Sequence, residues 1–227
     1  TVVVGALLGI VLALMRMSDI RPLRFLGLDK EGHLRGPGVL TTLSKFNPLS
    51  FLATAYVEIL RSTPVIVQIA VIYYGIFGVI DLPTFSLFGI TKFHRFFPGV
   101  VALGMNSGAY LCEIIRSGIQ SIDGGQSEAA RSLGLSQGQT LRFIILPQAA
   151  KSALPAMCNE FISLIKETSI LSYIALTELT KAGDYIRSRT FSAFTPYIVS
   201  GLLYLLVVLT LTWLIGKLER RLRNSDH

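Results

Sequence analysis

The sequence predicts an all-α integral membrane protein of about five transmembrane helices, and three observations carry that prediction. Apolar residues make up 51% of the 227 positions and charged residues only 15%, with a mean hydropathy of +0.57, far from the usage of a soluble domain. One run, FTPYIVSGLLYLLVVLTLTWLIG from Phe194 to Gly216, carries no charge and ends on the basic cluster KLERRLR. The third observation is an uneven distribution of the 21 Lys and Arg residues, which gather in alternate connections. In a soluble chain the formal charge of +7 would raise nucleic acid as a partner. Here no basic stripe is interleaved with stacking aromatics, so nucleic acid is set aside and the basic residues are read as topology signals.

The spans follow in order, at about residues 1–17, 61–81, 96–116, 150–176 and 194–216, all within a single transmembrane domain covering 1–227. The first apolar run, TVVVGALLGIVLALM, is shorter than the roughly 20 residues a span needs, so the chain is expected to begin inside its first helix. In the second, TPVIVQIAVIYYGIFGVI, Pro64 stands at a first-turn position where its missing N–H is harmless. The third, FFPGVVALGMNSGAYLCEII, holds Gly104 and Gly108 four apart, as Gly5 and Gly9 are in the first; such pairs let helix backbones approach closely. The fourth has apolar periodicity interrupted by Pro155, Asn159, Glu160, Lys166 and Glu167, so a polar face turned away from lipid is expected, with room for a break around Thr168 and Ser169.

Counting Lys and Arg by connection sets the orientation. Residues 16–61, 116–151 and 217–223 hold fifteen, whereas Lys92, Arg95, Lys181, Arg187 and Arg189 are the five on the other side. Basic residues favour the cytoplasm, which predicts an external N-terminus and a cytoplasmic C-terminus. Arg21 to Pro48, rich in charge, Gly and Pro, reads as a cytoplasmic insertion at the surface. Glu113 and Arg116 fall near a helix end and read as interfacial.

The same orientation puts residues 121–147 in the cytoplasm, between spans three and four. Asp123 is a candidate N-cap, Ala129 and Ala130 favour helix, and Gly134 suits a left-handed helix end. Ser136 followed by Gln139 is a capping-box pattern that opens a second helix, TLRFIIL, expected to stop before Pro147. The result is a helix-turn-helix on which Ala129, Ala130, Leu133 and Leu135 are available for packing while Glu128 and Arg131 stay polar.

That run resembles the EAA signature of binding-protein-dependent ABC importer permeases. Glu128-Ala129-Ala130 is followed after three residues by Gly134 and after nine more by Ile144-Ile145-Leu146-Pro147. YVEILRSTPVIVQ, SGAYLCEIIRSGIQSI, NEFISLIKETSI and LTELTKAGDYIRSRTF are similar to blocks of the permeases for polar amino acids, so the resemblance covers most of the chain from Tyr56 onward. It implies the type I ABC importer permease fold with a cytoplasmic coupling helix. It also implies a cytoplasmic ABC ATPase dimer, a second permease subunit (identical or related), an extracytoplasmic solute-binding protein, and residence in a bacterial cytoplasmic membrane among its lipids. Glu128, Ala129, Ala130, Leu133 and Gly134 are then the ATPase-coupling residues. The chain has no GxxxxGK[ST] stretch, so ATP and Mg belong to the partner and this chain is expected to bind no cofactor and to be no enzyme.

Substrate contact requires polar groups inside the membrane, where each is costly unless partnered. Glu160 and Lys166 are the foremost candidates, suited to the ammonium and carboxylate of an amino acid. The resemblance places a substrate site on this same helix. Six residues apart, they point in different directions on a regular helix, so a break, a bridging substrate, or a structural ion pair has to be invoked. Asn106 offers an amide, or an interhelical hydrogen bond; Ser62 and Thr63 offer hydroxyls, or simple helix capping. The external basic residues favour a glutamate- or glutamine-type substrate, while Glu160 suits a basic one. An ion-coupled secondary transporter or channel is the alternative, though such proteins usually carry more spans and internal symmetry. A membrane enzyme is third: His33, His94 and His227 are scattered, and Cys112 and Cys158 sit in apolar surroundings without metal-ligand spacing.

Overall fold

The computed structural model describes residues 1–18, 45–87, 89 and 91–224. Nine helices are described: α1 (Val2–Met17), α2 (Pro48–Ser62), α3 (Val65–Val79), α4 (Phe93–Gln120), α5 (Gly124–Ser132), α6 (Gln137–Thr140), α7 (Leu146–Glu167), α8 (Leu179–Thr190) and α9 (Thr195–Asn224). A two-residue antiparallel pairing of Ser86–Leu87 with Thr91–Lys92 precedes α4 and is the one feature of another class among the described residues.

The 28-residue α4 is the axis of the bundle. One buried cluster packs Ala102 and Leu103 of α4 against Ile69 and Ile72 of α3, Leu164 of α7, and Leu171 and Ile174. A second packs Ala109 and Cys112 of α4 against Leu12 and Ala13 of α1 and Ala53 and Val57 of α2. Lipid is as apolar as these side chains, so what drives the helices together is close fit. The glycine pairs supply it, because they meet across the α1–α4 seam. A Cβ on Gly108 would lie 2.9 Å from Leu8 Cδ2, and one on Gly9 would lie 2.7 Å from Leu111 Cβ. Gly108→Leu is therefore expected to destabilise the fold by about 1–3 kcal/mol through overpacking. Gly216→Leu, where nothing lies within 4 Å, is the control. Equal melting temperatures for the two variants would refute the seam.

Four elements differ from the sequence reading. Pro48–Ser62 forms a helix where a continuous loop between spans one and two was expected; Asn47 caps it by accepting from Ser50 N–H at 3.0 Å, and Pro48 opens it. Its Ala53 and Val57 face the bundle, a match of helical period that the neighbouring polar residues obscured. Consequently span 61–81 does not start at Arg61, which belongs to the last turn of α2; the chain turns by 108° and restarts at Val65. The helix after Ser136 does not stop at Pro147 either. It passes from α6 through a π-helical turn, Leu141–Ile145, directly into α7, with Pro147 in the first turn where no N–H is needed. Finally, α7 ends at Glu167 and a 3₁₀ segment, Thr168–Ile174, continues it, so the expected break is a tightening of the helix. Of the insertion Arg21 to Pro48, residues 21–44 lie outside the described residues, as do His33 and His227.

At the other end, Arg95 of α4 donates to the Ala175 carbonyl at 2.9 Å, tying α4 to the turn that follows the 3₁₀ segment. Glu178 caps α8 by accepting from Thr180 and Lys181 N–H, and Tyr204 of α9 donates to the same carboxylate at 3.0 Å. Tyr197 donates to Asp184 at 2.5 Å, and that bond, with Lys181 and Arg187 nearby, holds the Asp184 carboxyl below its ordinary range. The α8–α9 hairpin is thus pinned at two heights. In α9 the apolar window Thr195–Lys217 has a mean hydropathy of 2.4 and is only 6% buried, so its surface is left for lipid or another subunit. It is the one described helix long and apolar enough to cross a membrane by itself; Val2–Met17 is shorter, and Pro48–Ser62 with Val65–Val79 is bent by 108°.

Candidate functional site

Two sites emerge, one among α3, α4 and α7 and one at the α5–α6 corner. In the first, the half-buried Glu160 of α7 lies near Ser107 of α4 and near Glu167, seven residues on and so on the same face of the helix. Lys166 is exposed and neighbours Glu167. Because α7 is unbroken from Leu146 to Glu167, Glu160 and Lys166 keep the divergent directions their spacing implies, and no described ion pair joins them.

Asn106 sits one residue before Ser107 and is only 3% exposed. Its Nδ2 donates to Gln68 Oε1 at 2.9 Å, so the interhelical bond is the use the fold makes of that amide group. Gln68, 7% exposed, donates through Nε2 to the Leu60 carbonyl at 2.7 Å, the Thr63 carbonyl at 3.0 Å and Thr63 Oγ1 at 2.8 Å. Thr63 Oγ1 in turn donates to the Ile59 carbonyl at 2.8 Å, and Ser62 is exposed at the end of α2. The Thr63 hydroxyl is thereby engaged in capping the α2–α3 corner.

Sequence reasoning missed Gln68 and Glu167 as site residues. Gln68 was legible as the single amide in the run TPVIVQIAVIYY, and Glu167 as the i+7 partner of Glu160. Glu113 and Arg116, read from the sequence as interfacial, also make contacts that the sequence does not show. In the fold Glu113 accepts from Arg16 of α1 at 2.8 Å and from Arg116, with Arg61 of α2 at 3.8 Å, so one carboxylate ties together the ends of three helices. Arg61 reaches it from the last turn of α2.

The second site is built as the sequence predicted. Asp123 Oδ1 accepts from Gly125 N–H at 2.6 Å and starts α5. Gly134 ends it with φ +87°, while Gly134 N–H bonds the Arg131 carbonyl and Leu135 N–H the Ala130 carbonyl, the paired bonds of a Schellman cap. Ser136 and Gln139 complete a reciprocal capping box. Glu128, Ala129 and Gly134 are exposed and Leu133 is 82% exposed, whereas Ala130 is 5% exposed and packs inward. Leu133 is thus held out at the end of a helix capped at both ends. Among the described residues no group of three His, Cys, Asp or Glu is placed to hold a metal.

A helical bundle with polar side chains turned inward and a rigid handle at one end is a membrane transport subunit. Residues 37–224 match the family described as binding-protein-dependent transport system inner membrane component, and the chain belongs to that family. It is 38% identical over 187 residues to the arginine transport system permease protein ArtQ of Bacillus subtilis, covering 82% of this chain and 81% of that protein. It is 39% identical to the probable glutamine ABC transporter permease protein GlnM of the same organism, covering 81% and 80%. It is 41% identical to the nopaline transport system permease protein NocM of Agrobacterium fabrum, covering 79% and 74%. Among solved structures, a chain of an amino acid ABC transporter crystallised with histidines matches with a TM-score of 0.78 at 38% identity, covering 97% of this chain and 86% of that one. The MetNI methionine ABC transporter, in an inward-facing form, shares the fold with a TM-score of 0.61 at 17% identity.

Proposed function

We propose that this permease is one of a pair of membrane subunits through which a polar amino acid is imported, driven by a separate cytoplasmic ATPase dimer and supplied by an external binding protein. The observation that carries the reading is the pairing of an exposed, doubly capped handle with an inward-facing carboxylate site in one chain whose relatives are named for arginine, glutamine and nopaline. The N-terminus lies outside and the C-terminus in the cytoplasm, as the fifteen-to-five distribution of basic residues favours. The Gln120 end of α4, α5 and α6 then faces the ATPase.

Glu160, Lys166 and Asn106 contact the substrate, with Ser62 and Thr63 at its edge. With α7 unbroken, the bridging option is the reading adopted: Glu160 takes the ammonium and Lys166 the carboxylate of one amino acid lying along the helix. Two carboxylates, Glu160 and Glu167, against one lysine favour an amide or basic side chain over glutamate. Glu128, Ala129 and Leu133 enter the ATPase groove, while Ala130 and Gly134 hold them in place. When the ATPase dimer closes on ATP, it draws the two handles together and opens the pathway outward. The bare faces of α9 meet lipid and the second permease, identical or related.

The test is reconstitution in vesicles with the candidate ATPase, partner permease and binding protein. Glutamine or arginine uptake is expected with ATP and not with a non-hydrolysable analogue. Uptake that persists on an ion gradient without hydrolysis would instead establish a secondary transporter.

A further inference from the structure

We infer that Gln68 is a positioning residue that turns Asn106 into a hydrogen-bond acceptor for the substrate's ammonium group. The inference rests on the reading of Asn106 as a substrate contact, and it decides which half of that amide the substrate meets.

The orientation of an amide is normally ambiguous, because its oxygen and nitrogen look alike. Here chemistry removes the ambiguity. The end of Gln68 that meets the Leu60 and Thr63 carbonyls has to be Nε2, since an oxygen at 2.7 and 3.0 Å from two carbonyl oxygens would find only repulsion. Gln68 Oε1 is then the end that faces Asn106. An acceptor there requires a donor opposite, so Asn106 presents Nδ2 to Gln68 at 2.9 Å. Its Oδ1 is directed elsewhere. No hydrogen bond to that oxygen is found among the described residues.

The carbonyls that set this chain of bonds belong to the end of α2 and the corner, backbone groups that α2 leaves without helical partners. Their positions do not depend on the substrate, so the donor–acceptor order runs one way, from the corner through Gln68 to Asn106. Ser107, next along α4, lies near Glu160 of α7. On this assignment the Asn106 amide oxygen on α4 and the Glu160 carboxylate on α7 together make an acceptor-only subsite. It suits the ammonium of an amino acid and rejects a carboxylate, which leaves the carboxylate for Lys166.

The test is equilibrium binding of glutamine, and of N-acetylglutamine, which lacks the ammonium, to the assembled permease–ATPase complex in lipid nanodiscs without the binding protein. Gln68→Met frees the Asn106 amide to rotate. Glutamine affinity is expected to fall roughly tenfold to a hundredfold, the loss of one hydrogen bond to a charged group. N-acetylglutamine binding is expected to stay unchanged, and Gln68→Met added to Asn106→Ala is expected to cause no further loss. Co-purification of the ATPase with each variant is the check on assembly. If Gln68→Met weakens both ligands equally, or weakens glutamine as much in the Asn106→Ala background as alone, Gln68 merely braces the corner and the inference is overturned. If Asn106→Ala weakens binding while Gln68→Met does not, the positioning role alone falls. If Asn106→Ala binds like the unaltered protein, the substrate contact falls with it.

Discussion

Lys166→Ala is expected to lower uptake of glutamine or arginine by roughly a hundredfold while leaving assembly with the ATPase intact. The side chain is exposed and α7 continues past it, so removing the ammonium breaks no described contact that holds the bundle together. What it removes is the one described cation in the last turn of α7, beside Glu167 and six residues from Glu160. A carboxylate entering that face would meet two like charges and no counter-ion. Loss of one charge-assisted bond is worth about 1.5–3 kcal/mol, and at mid-membrane the water that would screen the remaining repulsion is scarce. Lys166→Arg is expected to recover part of the activity because it restores the charge but not the reach. Uptake and ATPase co-purification, measured on the same membranes, separate the two effects. Ordinary uptake by Lys166→Ala would take Lys166 out of the site.

The second large effect is expected at the handle. Glu128→Lys and Leu133→Asp should each leave the fold unchanged and abolish the rise in ATP hydrolysis that loaded binding protein provokes. Both side chains point away from the bundle, and the helix beneath them is held by the Asp123 cap, the Gly134 Schellman cap and the Ser136–Gln139 box, none of which involves either side chain. Ala130 is the contrast: it is buried, so Ala130→Leu is expected to lower melting temperature as well as coupling. Stimulated hydrolysis that survives both surface substitutions would count against this helix as the ATPase contact.

The handle was legible before folding because everything that forms it is local. A cap, a helix of nine residues, a left-handed glycine and a capping box all act within a few positions, and the long spacing from Glu128 to Pro147 made the pattern specific. The glycine pairs were legible as pairs for the same reason. That Gly108 meets Leu8 and Gly9 meets Leu111 depended on α1 and α4 lying side by side. Of the candidate substrate residues, Glu160 and Lys166 could be picked out singly, since a charge in an apolar run stands out at any length.

By itself, the sequence determined a helical membrane protein with a capped helix-turn-helix between spans three and four, because hydropathy, basic-residue placement and short-range capping are properties of consecutive residues; the permease reading came from the resemblance of the Glu128–Pro147 run to the EAA signature. Tertiary structure alone decided the 108° corner at Pro64, the gathering of Arg16, Arg61 and Arg116 on Glu113, and the Gln68–Asn106 bond across 38 positions. The physical reason is that a buried amide or carboxylate takes whichever partner the packing brings within about 3 Å. Periodicity says which face a residue is on, and only the assembled bundle says what that face meets.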